Sequence, residues 1–515
     1  MTVDTPAWVR DAVFYQVFPD RLARSGRVPA PGDFEPWDAP PTQHGFKGGD
    51  LLGIVERLDY LQRLGVNALY LTPIFASASN HRYHTDDYLN VDPLLGGNEA
   101  LRELLDEAHA RGMRVLLDGV FNHCGRGFWP FHHVLENGIQ SPYRGWFHLH
   151  DEVLDGARTL SAFPSLEQQA ALLAMASEGV ARGSISPAVL GYEAWWDLPA
   201  LPRLALDEPQ MRSFVLDVAE HWVRFGIDGW RLDVAEEVSA DVWREFRTRV
   251  RAINPEAYLV AEIWHPRPDW LQGDLFDAFM NYPLGAAIVG FAAQAHLDLD
   301  QQLPGELRGV LRPLDGTSLW ARLEELAALN HPDVTAVQLN LLDSHDTPRV
   351  LTLAGGDLDS LRLATLLQTT LPGAPCIYYG DEVGMAGAMD PHCRGAFPSD
   401  PAEWEREPYR WMADAIALRH SSRALRDGEM SLLHADGPAL AYLRRHGHDA
   451  FAVVVNAGEG PLTWEVLLPV DAVDAELLPL GSDRQGDRRA SLHGLVLRIR
   501  LAPRDGAVVR LTLGG

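Results

Sequence analysis

The stretch 226–238, GIDGWRLDVAEEV, constrains the fold most, because it sets an arginine and an aspartate inside an apolar run. The run follows an amphipathic segment, 210–224, as expected of a buried parallel strand that succeeds a helix. Arg231 and Asp233 project from the same face of such a strand, since side chains alternate with a period of two. Burying two charges is costly unless they pair or share a task. At the carboxyl end of a strand in a βα-repeat chain that task is typically catalytic, although a purely structural ion pair would show the same pattern.

The alternation of an apolar strand with an amphipathic helix continues from residue 13 to about residue 425. We predict helices at 51–64, 98–110, 210–224 and 240–253, and strands at 13–19, 68–75, 114–120, 227–234, 258–264, 277–284, 337–342 and 375–380. Eight strands with intervening helices predict a closed (β/α)8 barrel, an α/β fold. A chain of 515 residues can hold that barrel and further domains.

Two stretches depart from this alternation. It stops after Asn122 and resumes near residue 197, a longer gap than a βα loop needs; a helix is predicted there at 166–176. From residue 431 short alternating runs are separated by Gly, Pro and Asp, which is typical of an antiparallel sandwich. We therefore predict a barrel of residues 1–121 and 197–430, a small inserted domain of 122–196 after the third strand, and a C-terminal β-sandwich of 431–515.

The net charge bears on the partners of the protein, and the apolar runs and the cysteines bear on its location in the cell. A formal net charge of −27 disfavours binding to nucleic acid or to anionic membranes. No apolar run is long enough to span a membrane, and residues 1–18 lack the apolar core of a secretory signal. Three cysteines without zinc-like spacing predict free thiols in a reducing cytoplasm. Residues 21–33, RLARSGRVPAPGD, lack the clustered oxygen ligands that would hold calcium, so we predict no calcium site there. We predict no other metal and no cofactor.

Polar side chains stand at the predicted ends of four barrel strands. They are Asp118, Asn122 and His123 in DGVFNH, Arg231 and Asp233 in GWRLDV, Glu262 in VAEIWH, and His345 and Asp346 in LLDSHD. The carboxyl ends of barrel strands meet around one opening, so we expect these groups to face a common pocket.

A pair of carboxyl groups in one pocket suits the cleavage of a glycosidic bond. In a retaining enzyme one carboxylate attacks the anomeric carbon, while the other carboxyl group, about 5 to 5.5 Å away, protonates the leaving oxygen. We expect Arg231 to keep Asp233 ionised for the attack. Glu262 is flanked by Ile263 and Trp264, and such drier surroundings suit an acid.

The segments DGVFNH, GWRLDVAEEV, VAEIWH and LLDSHD, in this order, resemble the four signature segments of the α-amylase family, family 13 of the glycoside hydrolases. The resemblance covers nearly all of the chain and implies the same three-part architecture. It implies that Asp233 is the nucleophile, Glu262 the general acid/base, and Asp346 a third carboxylate that stabilises the transition state. It also implies that Arg231, His123 and His345 hold the sugar at the cleavage point.

Aromatic and acceptor-side residues complete the predicted site. Tyr83, in NHRYHTDDY, resembles the family's stacking platform, and Trp264 is a second candidate because aromatic rings suit the apolar face of a sugar. Glu237 is implied as an acceptor-side group, although it could equally be an ordinary charge at a helix start. Asn122 either contacts the substrate or orients the end of the third strand.

Other features are similar to the subgroup of cyclomaltodextrinases, neopullulanases and maltogenic amylases, which degrade small or cyclic α-glucans and often accept both α-1,4 and α-1,6 linkages. They are Glu236 with Glu237, LPRL at 201–204, and PCIYYGDEVGMAGAMDPHCR at 375–394. His84 and Glu236 depart from the subgroup's usual Asp and Asn. The N-terminal domain through which these enzymes dimerise is not expected in this chain. A homodimer is therefore possible but is not predicted by that route.

The sequence therefore predicts a cytoplasmic, cofactor-free retaining hydrolase of short or cyclic maltooligosaccharides. An α-glucosidase, a cyclic maltosyl-maltose hydrolase and a transglycosylase remain as alternatives, because they share the catalytic residues. A non-catalytic sugar-binding barrel is disfavoured, since it would not need Asp233, Glu262 and Asp346 together.

Overall fold

The computed structural model describes residues 3–177, 184–481 and 488–514. Eight parallel strands form one sheet: β1 Phe14–Val17, β2 Ala68–Leu71, β3 Arg114–Gly119, β4 Gly229–Leu232, β5 Tyr258–Ala261, β6 Ala278–Phe279, β7 Leu339–Leu341 and β8 Ala374–Tyr378. They pair in the order β6-β5-β4-β3-β2-β1-β8-β7. A parallel bridge between Met280 and Leu339 joins the two outer strands, which confirms the predicted barrel.

Helices connect the successive strands. The main ones are Leu51–Leu64, Gly97–Ala110, Pro209–Phe225, Ala240–Ile253, Tyr282–Ala293, Gly316–Leu329, Leu358–Thr370 and Arg406–Ser421. Capping explains where several of them begin: the Asp50 carboxylate accepts from the Gly53 amide at 2.7 Å, and that of Asp357 from the Ser360 amide at 2.9 Å. Within the described ranges no helix combines the length and the apolar character needed to cross a membrane.

The alternation of side chains along the strands divides the buried residues into two clusters. Phe14, Tyr70, Leu116, Tyr258 and Val260 lie in one cluster, and their strand neighbours such as Tyr15, Leu69 and Leu117 lie in another with residues of the connecting helices. The first set faces the barrel interior, because it comes from alternate positions of neighbouring strands and packs across the barrel, as in the Phe14–Tyr258 stack at 5.7 Å. Arg231 occupies a position of β4 whose side chain points to the same side as this first set, into the barrel.

The chain between β3 and β4 packs on the barrel with short elements. Its helices are Trp129–Asn137, Asp151–Leu154, Leu166–Ser177 and Ser186–Leu190, of which Leu166–Ser177 confirms the helix expected at 166–176. Residues 178–183 of the predicted inserted domain lie outside the described residues. An antiparallel β-bridge between His123 and Arg203 joins the beginning and the end of this part of the chain. The limits 122–196 stay a prediction.

The C-terminal region is built from antiparallel sheets. One sheet contains Glu429–Asp436, Ala439–His446, Asp449–Asn456, Ala472–Leu477 and Asp505–Leu513, and the other Leu462–Leu467, Arg489–His493 and Val496–Leu501. A separate apolar core that includes Val454, Ile499 and Val509 lies within this region. The expected antiparallel architecture is therefore confirmed, and its first strand begins at Glu429, two residues before the predicted limit.

One predicted strand was wrong over most of its length. The strand expected at 277–284 is reduced to Ala278–Phe279, and a helix begins at Tyr282. The run that suggested a longer strand continues as a helix buried on all sides, and an apolar run alone does not distinguish these two structures. Tyr282 is thereby placed at the start of a helix rather than in the sheet.

Candidate active site

Arg231 is the centre of the predicted site. Its fully buried guanidinium lies inside the barrel, where Nη1 donates to Asp118 Oδ1 and to Asp233 Oδ1, both at 2.8 Å. Nη2 forms an ion pair with Glu262 Oε2 at 3.0 Å. Carboxylates from three neighbouring strand ends, β3, β4 and β5, therefore converge on one cation. Asp233 and Glu262 therefore lie beside the same guanidinium.

The phenol of Tyr83 connects this cluster to the end of β7. Tyr83 lies between the antiparallel strands Phe75–Ser77 and Thr85–Val91. Its hydroxyl donates to Asp118 Oδ2 at 2.9 Å and lies 2.5 Å from His345 Nε2, and the two rings stack with centroids 5.3 Å apart. The Gln16 amide donates to His345 Nδ1 at 2.8 Å. A neutral His345 therefore carries its proton on Nε2 and donates it toward Tyr83.

Asp346 is the most exposed of the three predicted catalytic carboxyl groups, with 30% of its side chain accessible. Its Oδ2 lies 3.1 Å from His345 Nε2, and its Oδ1 accepts from Arg394 at 3.2 Å. Arg394 also donates to the His345 carbonyl at 2.9 Å, so one guanidinium orients both residues. The network of polar contacts is continuous from Asp346 to Arg231.

Glu262 is held on both of its oxygens. Oε1 accepts from the Trp264 indole at 3.0 Å, and Oε2 accepts from the backbone amide of Val234 at 2.9 Å. The Trp264 ring is itself fixed by stacking on Tyr282, with centroids 3.6 Å apart. Trp264 thus orients the carboxyl group through its N–H.

His123 lies at the end of a ladder of aromatic rings. Its ring stacks on Trp195 at 4.8 Å, and Trp195 stacks on Trp196 at the same spacing. The His123 Nε2 atom is buried without a protein partner among the described residues. A buried ring nitrogen of this kind is suited to a ligand hydroxyl.

Burial dominates the electrostatics of the site. It raises the pKa of Asp233 well above its ordinary value and that of Asp118 to about 6, and Arg231 opposes both shifts. Burial also lowers the pKa of His123 to about 3 and that of His345 well below its ordinary value, so both rings are neutral at pH 7. Arg231 lowers the pKa of Asp233, which is the direction that the sequence predicted, but burial raises that pKa by more.

Dry surroundings do not distinguish acid from nucleophile here. Asp233 is 6% exposed and Glu262 is 8% exposed, so both carboxyl groups are equally buried. Burial therefore does not assign the two roles.

The Alpha-amylase catalytic domain family matches residues 16–422 of this chain. The chain is 39% identical over 471 residues to a cyclomaltodextrinase of Geobacillus thermopakistaniensis, covering 91% of this chain and 72% of the relative. The chain belongs to the α-amylase family. The structure of a Nostoc punctiforme debranching enzyme soaked with acarbose is 40% identical with a TM-score of 0.82, covering 99% of this chain and 100% of the other. A cyclic alpha-maltosyl-(1→6)-maltose hydrolase from Arthrobacter globiformis, in complex with that compound, is 35% identical with a TM-score of 0.81 and the same coverage.

As a member of the α-amylase family the protein is a glycoside hydrolase, and most of its predicted site residues converge. Those in or beside the network are Tyr83, His123, Arg231, Asp233, Glu262, Trp264, His345 and Asp346. Glu237 and Asn122 instead line a cavity of about 240 Å³ with Arg203 and Asp207, whose described lining includes none of the network residues. That cavity lies between the barrel and the segment after β3.

The α-amylase family signatures did not reveal four supporting residues. Tyr70 donates to Asp118 Oδ2 at 2.8 Å, Gln16 fixes His345, Arg394 holds Asp346, and Tyr282 supports Trp264. The position of Tyr70 and Gln16 on the inner face of β2 and β1 was a usable signal, because polar groups inside a barrel need partners. Nothing local to Tyr282 indicated its role, since it sits in the region predicted to be strand.

Proposed function

We propose that this protein is a retaining hydrolase of α-glucosidic bonds in short or cyclic maltooligosaccharides. The proposal is carried by one observation: Asp118, Asp233 and Glu262 converge on the Arg231 guanidinium, and Tyr83 and His345 link that cluster to Asp346. Two carboxyl groups that flank the scissile bond are the groups that a double displacement uses, and the third carboxylate lies beside them.

The proposed reaction has two steps. Asp233 attacks the anomeric carbon while Glu262 gives its proton to the leaving oxygen, so the carbon–oxygen bond breaks and a covalent glucosyl–enzyme forms. Glu262, now ionised, takes a proton from water as the water oxygen attacks the same carbon and releases Asp233. Arg231 holds the Asp233 carboxylate in place for both steps.

We propose that Tyr83, His123, His345 and Asp346 bind the sugar at the cleavage point. The Tyr83–His345 stack offers an aromatic surface, and His123 Nε2 and the half-open Asp346 carboxylate offer hydrogen-bond partners for hydroxyl groups. Glu237 and Asn122 line the neighbouring cavity and are proposed as acceptor-side groups.

The names of the relatives support this range of substrates. They include a cyclomaltodextrinase, a debranching enzyme and a hydrolase of a cyclic maltosyl-maltose, the last two matched over essentially their full length. We infer that α-1,4 bonds are the main target and that α-1,6 bonds are also accepted. Hydrolysis of cyclic maltosyl-maltose is a second candidate, favoured by the full-length match to the Arthrobacter enzyme. An α-glucosidase and a transglycosylase would use the same residues.

Asp233→Asn tests the catalytic assignment directly. We expect its rate on maltotriose to fall by about 10⁴-fold or more, because the amide cannot form the covalent intermediate. The matched control is Asp228→Asn, which changes a buried aspartate in the same segment that binds Arg114 at 2.8 Å; its folded protein should keep its kcat. Equal rates for Asp233→Asn and the wild type would refute the assignment.

A product-resolved digest tests the substrate range. The substrates are cyclodextrin, pullulan, panose, cyclic maltosyl-maltose and soluble starch. Faster attack on cyclodextrin than on starch, with glucose and maltose released from panose, is expected. Preferential attack on starch would contradict the proposal, and products longer than the substrate would indicate transglycosylation.

We further infer that the enzyme acts in the cytoplasm and does not bind nucleic acid. The three cysteines, Cys124, Cys376 and Cys393, are free and buried, and the net charge is −27. Cell fractionation and a salt-dependent DNA-binding assay test these two inferences. A homodimer is tested by light scattering on the purified protein.

A further inference from the structure

Val234, immediately after Asp233, has a left-handed backbone. Its φ is 37° and its ψ is 49°. Left-handed backbone is unfavourable for L residues other than glycine, and most of all for β-branched ones such as valine. Such conformations persist where the surrounding structure imposes them, and they concentrate at functional sites.

Hydrogen bonds on both sides hold this conformation in place. Before it, the Asp233 amide donates to the Gly119 carbonyl of β3 at 3.1 Å. After it, the Glu237 amide donates to the Val234 carbonyl at 2.9 Å, and the Trp243 indole donates to the Ala235 carbonyl at 2.9 Å. The backbone is therefore constrained where it leaves the barrel.

The consequence is the direction of one amide. The regular pairing of β4 with β5 ends where the Glu262 amide donates to the Leu232 carbonyl at 2.9 Å. Beyond that point the Val234 amide donates to Glu262 Oε2, a side-chain oxygen, at 2.9 Å. At the left-handed turn the Val234 amide therefore binds the Glu262 carboxyl group instead of a backbone carbonyl of β5.

The two oxygens of Glu262 have different surroundings as a result. Oε2 accepts from the Val234 amide and lies 3.0 Å from Arg231 Nη2. Oε1 accepts only from Trp264 among the described hydrogen bonds. A proton on Oε2 would take the place of the Val234 N–H and would lie beside the positive charge of Arg231, which is unfavourable. A proton on Oε1 leaves both of these contacts intact.

We infer that Val234 is a positioning residue: its strained backbone anchors Glu262 Oε2 and leaves Oε1 as the oxygen that exchanges the catalytic proton. This inference rests on the proposed function. In the first step the proton moves from Oε1 to the glycosidic oxygen, which keeps the electron pair of the breaking bond, while Asp233 bonds to the anomeric carbon. In the second step Oε1 recovers a proton from the attacking water.

The test removes the N–H alone. Valine at position 234 is replaced by 2-hydroxyisovalerate through nonsense suppression, which turns the 233–234 amide into an ester and keeps the side chain. The values of kcat/KM are measured on maltotriose and on 2,4-dinitrophenyl α-maltoside, whose leaving group departs without a proton. The same replacement at Val238, whose amide donates to the Ala235 carbonyl in the same turn, is the control.

The loss is expected on one substrate. On maltotriose the ester should lower kcat/KM by about ten- to a hundredfold, the range for a hydrogen bond to a charged group. On the activated maltoside the change should stay within about threefold, because that reaction does not need the acid.

Equal losses on both substrates, or no loss on maltotriose, would overturn the inference, and so would the same selective loss in the Val238 control. An enzyme inactive toward both substrates in the wild-type form would instead refute the proposed function.

A second pair of variants tests the backbone itself without requiring activity. Val234→Ala and Val234→Gly both remove the valine side chain and differ only by one Cβ. Alanine is normally the more stabilising of the two, but a left-handed position reverses this order. We expect Val234→Gly to melt at or above the temperature of Val234→Ala, and a clearly higher melting temperature for Val234→Ala would refute the left-handed constraint.

Discussion

Tyr83→Phe removes one hydroxyl from the polar network and leaves the aromatic ring. That hydroxyl donates to the buried Asp118 carboxylate and accepts a hydrogen bond from His345 Nε2. The ring would still stack on His345 at 5.3 Å, so the sugar-binding surface is preserved. The substitution therefore isolates the polar connection between the end of β3 and the end of β7.

The size of the effect follows from the partners that remain. Asp118 keeps its contacts with Arg231 and Tyr70, and His345 keeps its contact with Asp346 at 3.1 Å. The substitution removes one hydrogen bond to a charged group, which is worth about 1.5 to 3 kcal/mol, and one with the neutral His345, whose Nε2 still has Asp346 as a partner. If the loss falls on the transition state, kcat/KM on maltotriose decreases by about ten- to a hundredfold.

The pH profile gives a second, signed expectation. The pKa of Asp118 is raised by burial to about 6, and the Tyr83 hydrogen bond lowers it. Removing that bond raises the pKa further, so Asp118 becomes protonated at higher pH and the acidic limb of the activity profile moves upward.

The matched control for this prediction is Tyr70→Phe. Tyr70 donates to the same Asp118 oxygen at 2.8 Å but has no contact with His345 among the described hydrogen bonds. Steady-state kinetics and thermal melting of both variants separate the two contributions: Tyr70→Phe should shift the acidic limb and the melting temperature with the smaller loss of kcat/KM. Equal kinetic losses in the two variants, or an unchanged Tyr83→Phe, would contradict the role given to the Tyr83–His345 contact.

Three further predictions test the burial of charge in this site. Arg231→Met leaves buried carboxyl groups without a cation, so the free energy of unfolding should fall by about 3 to 5 kcal/mol at pH 7. The fall should be smaller at pH 5, where protonation removes part of the buried charge, and urea denaturation at both pH values measures it. The same loss of stability at both pH values would contradict this reasoning. His123 has a pKa lowered to about 3 from 6.5, so its stabilising contribution is present above pH 6.5 and is lost as the pH falls toward 3. Between pH 7 and pH 4.5 the free energy of unfolding of the wild type should therefore fall by about 2 to 3 kcal/mol more than that of His123→Gln. The same dependence of melting temperature on pH in both proteins would refute this. Trp264→Phe keeps the ring on Tyr282 but loses the N–H to Glu262 Oε1, so turnover of maltotriose should fall about tenfold while the activated maltoside is spared; equal losses would point to misplaced packing instead.

Much of the barrel could be predicted because its residues carry local signals. The helices Leu51–Leu64 and Ala240–Ile253 begin and end where the apolar period and the capping residues predict. The prediction of a strand at 277–284 was wrong because this stretch carries no such local signal. Its residues are apolar without a period, and only their burial among other elements makes Tyr282–Ala293 a helix.

The site shows the same division. Arg231 and Asp233 could be paired from their spacing, because residues two apart on a strand share a face. Glu237 and Asn122 could not be placed, since the direction of the chain after a strand end depends on contacts with distant segments. The same holds for Gln16 and Arg394, which reach His345 and Asp346 from far along the chain.

The sequence alone therefore determined which chemical groups stand at the strand ends, because alternation and strand–helix order are local properties. The tertiary structure decided the partners of these groups and the pKa shift of Asp233, because desolvation depends on everything packed around a group. Asp233 illustrates both: its position beside Arg231 follows from two residues of spacing, whereas its raised pKa follows from burial in the assembled barrel.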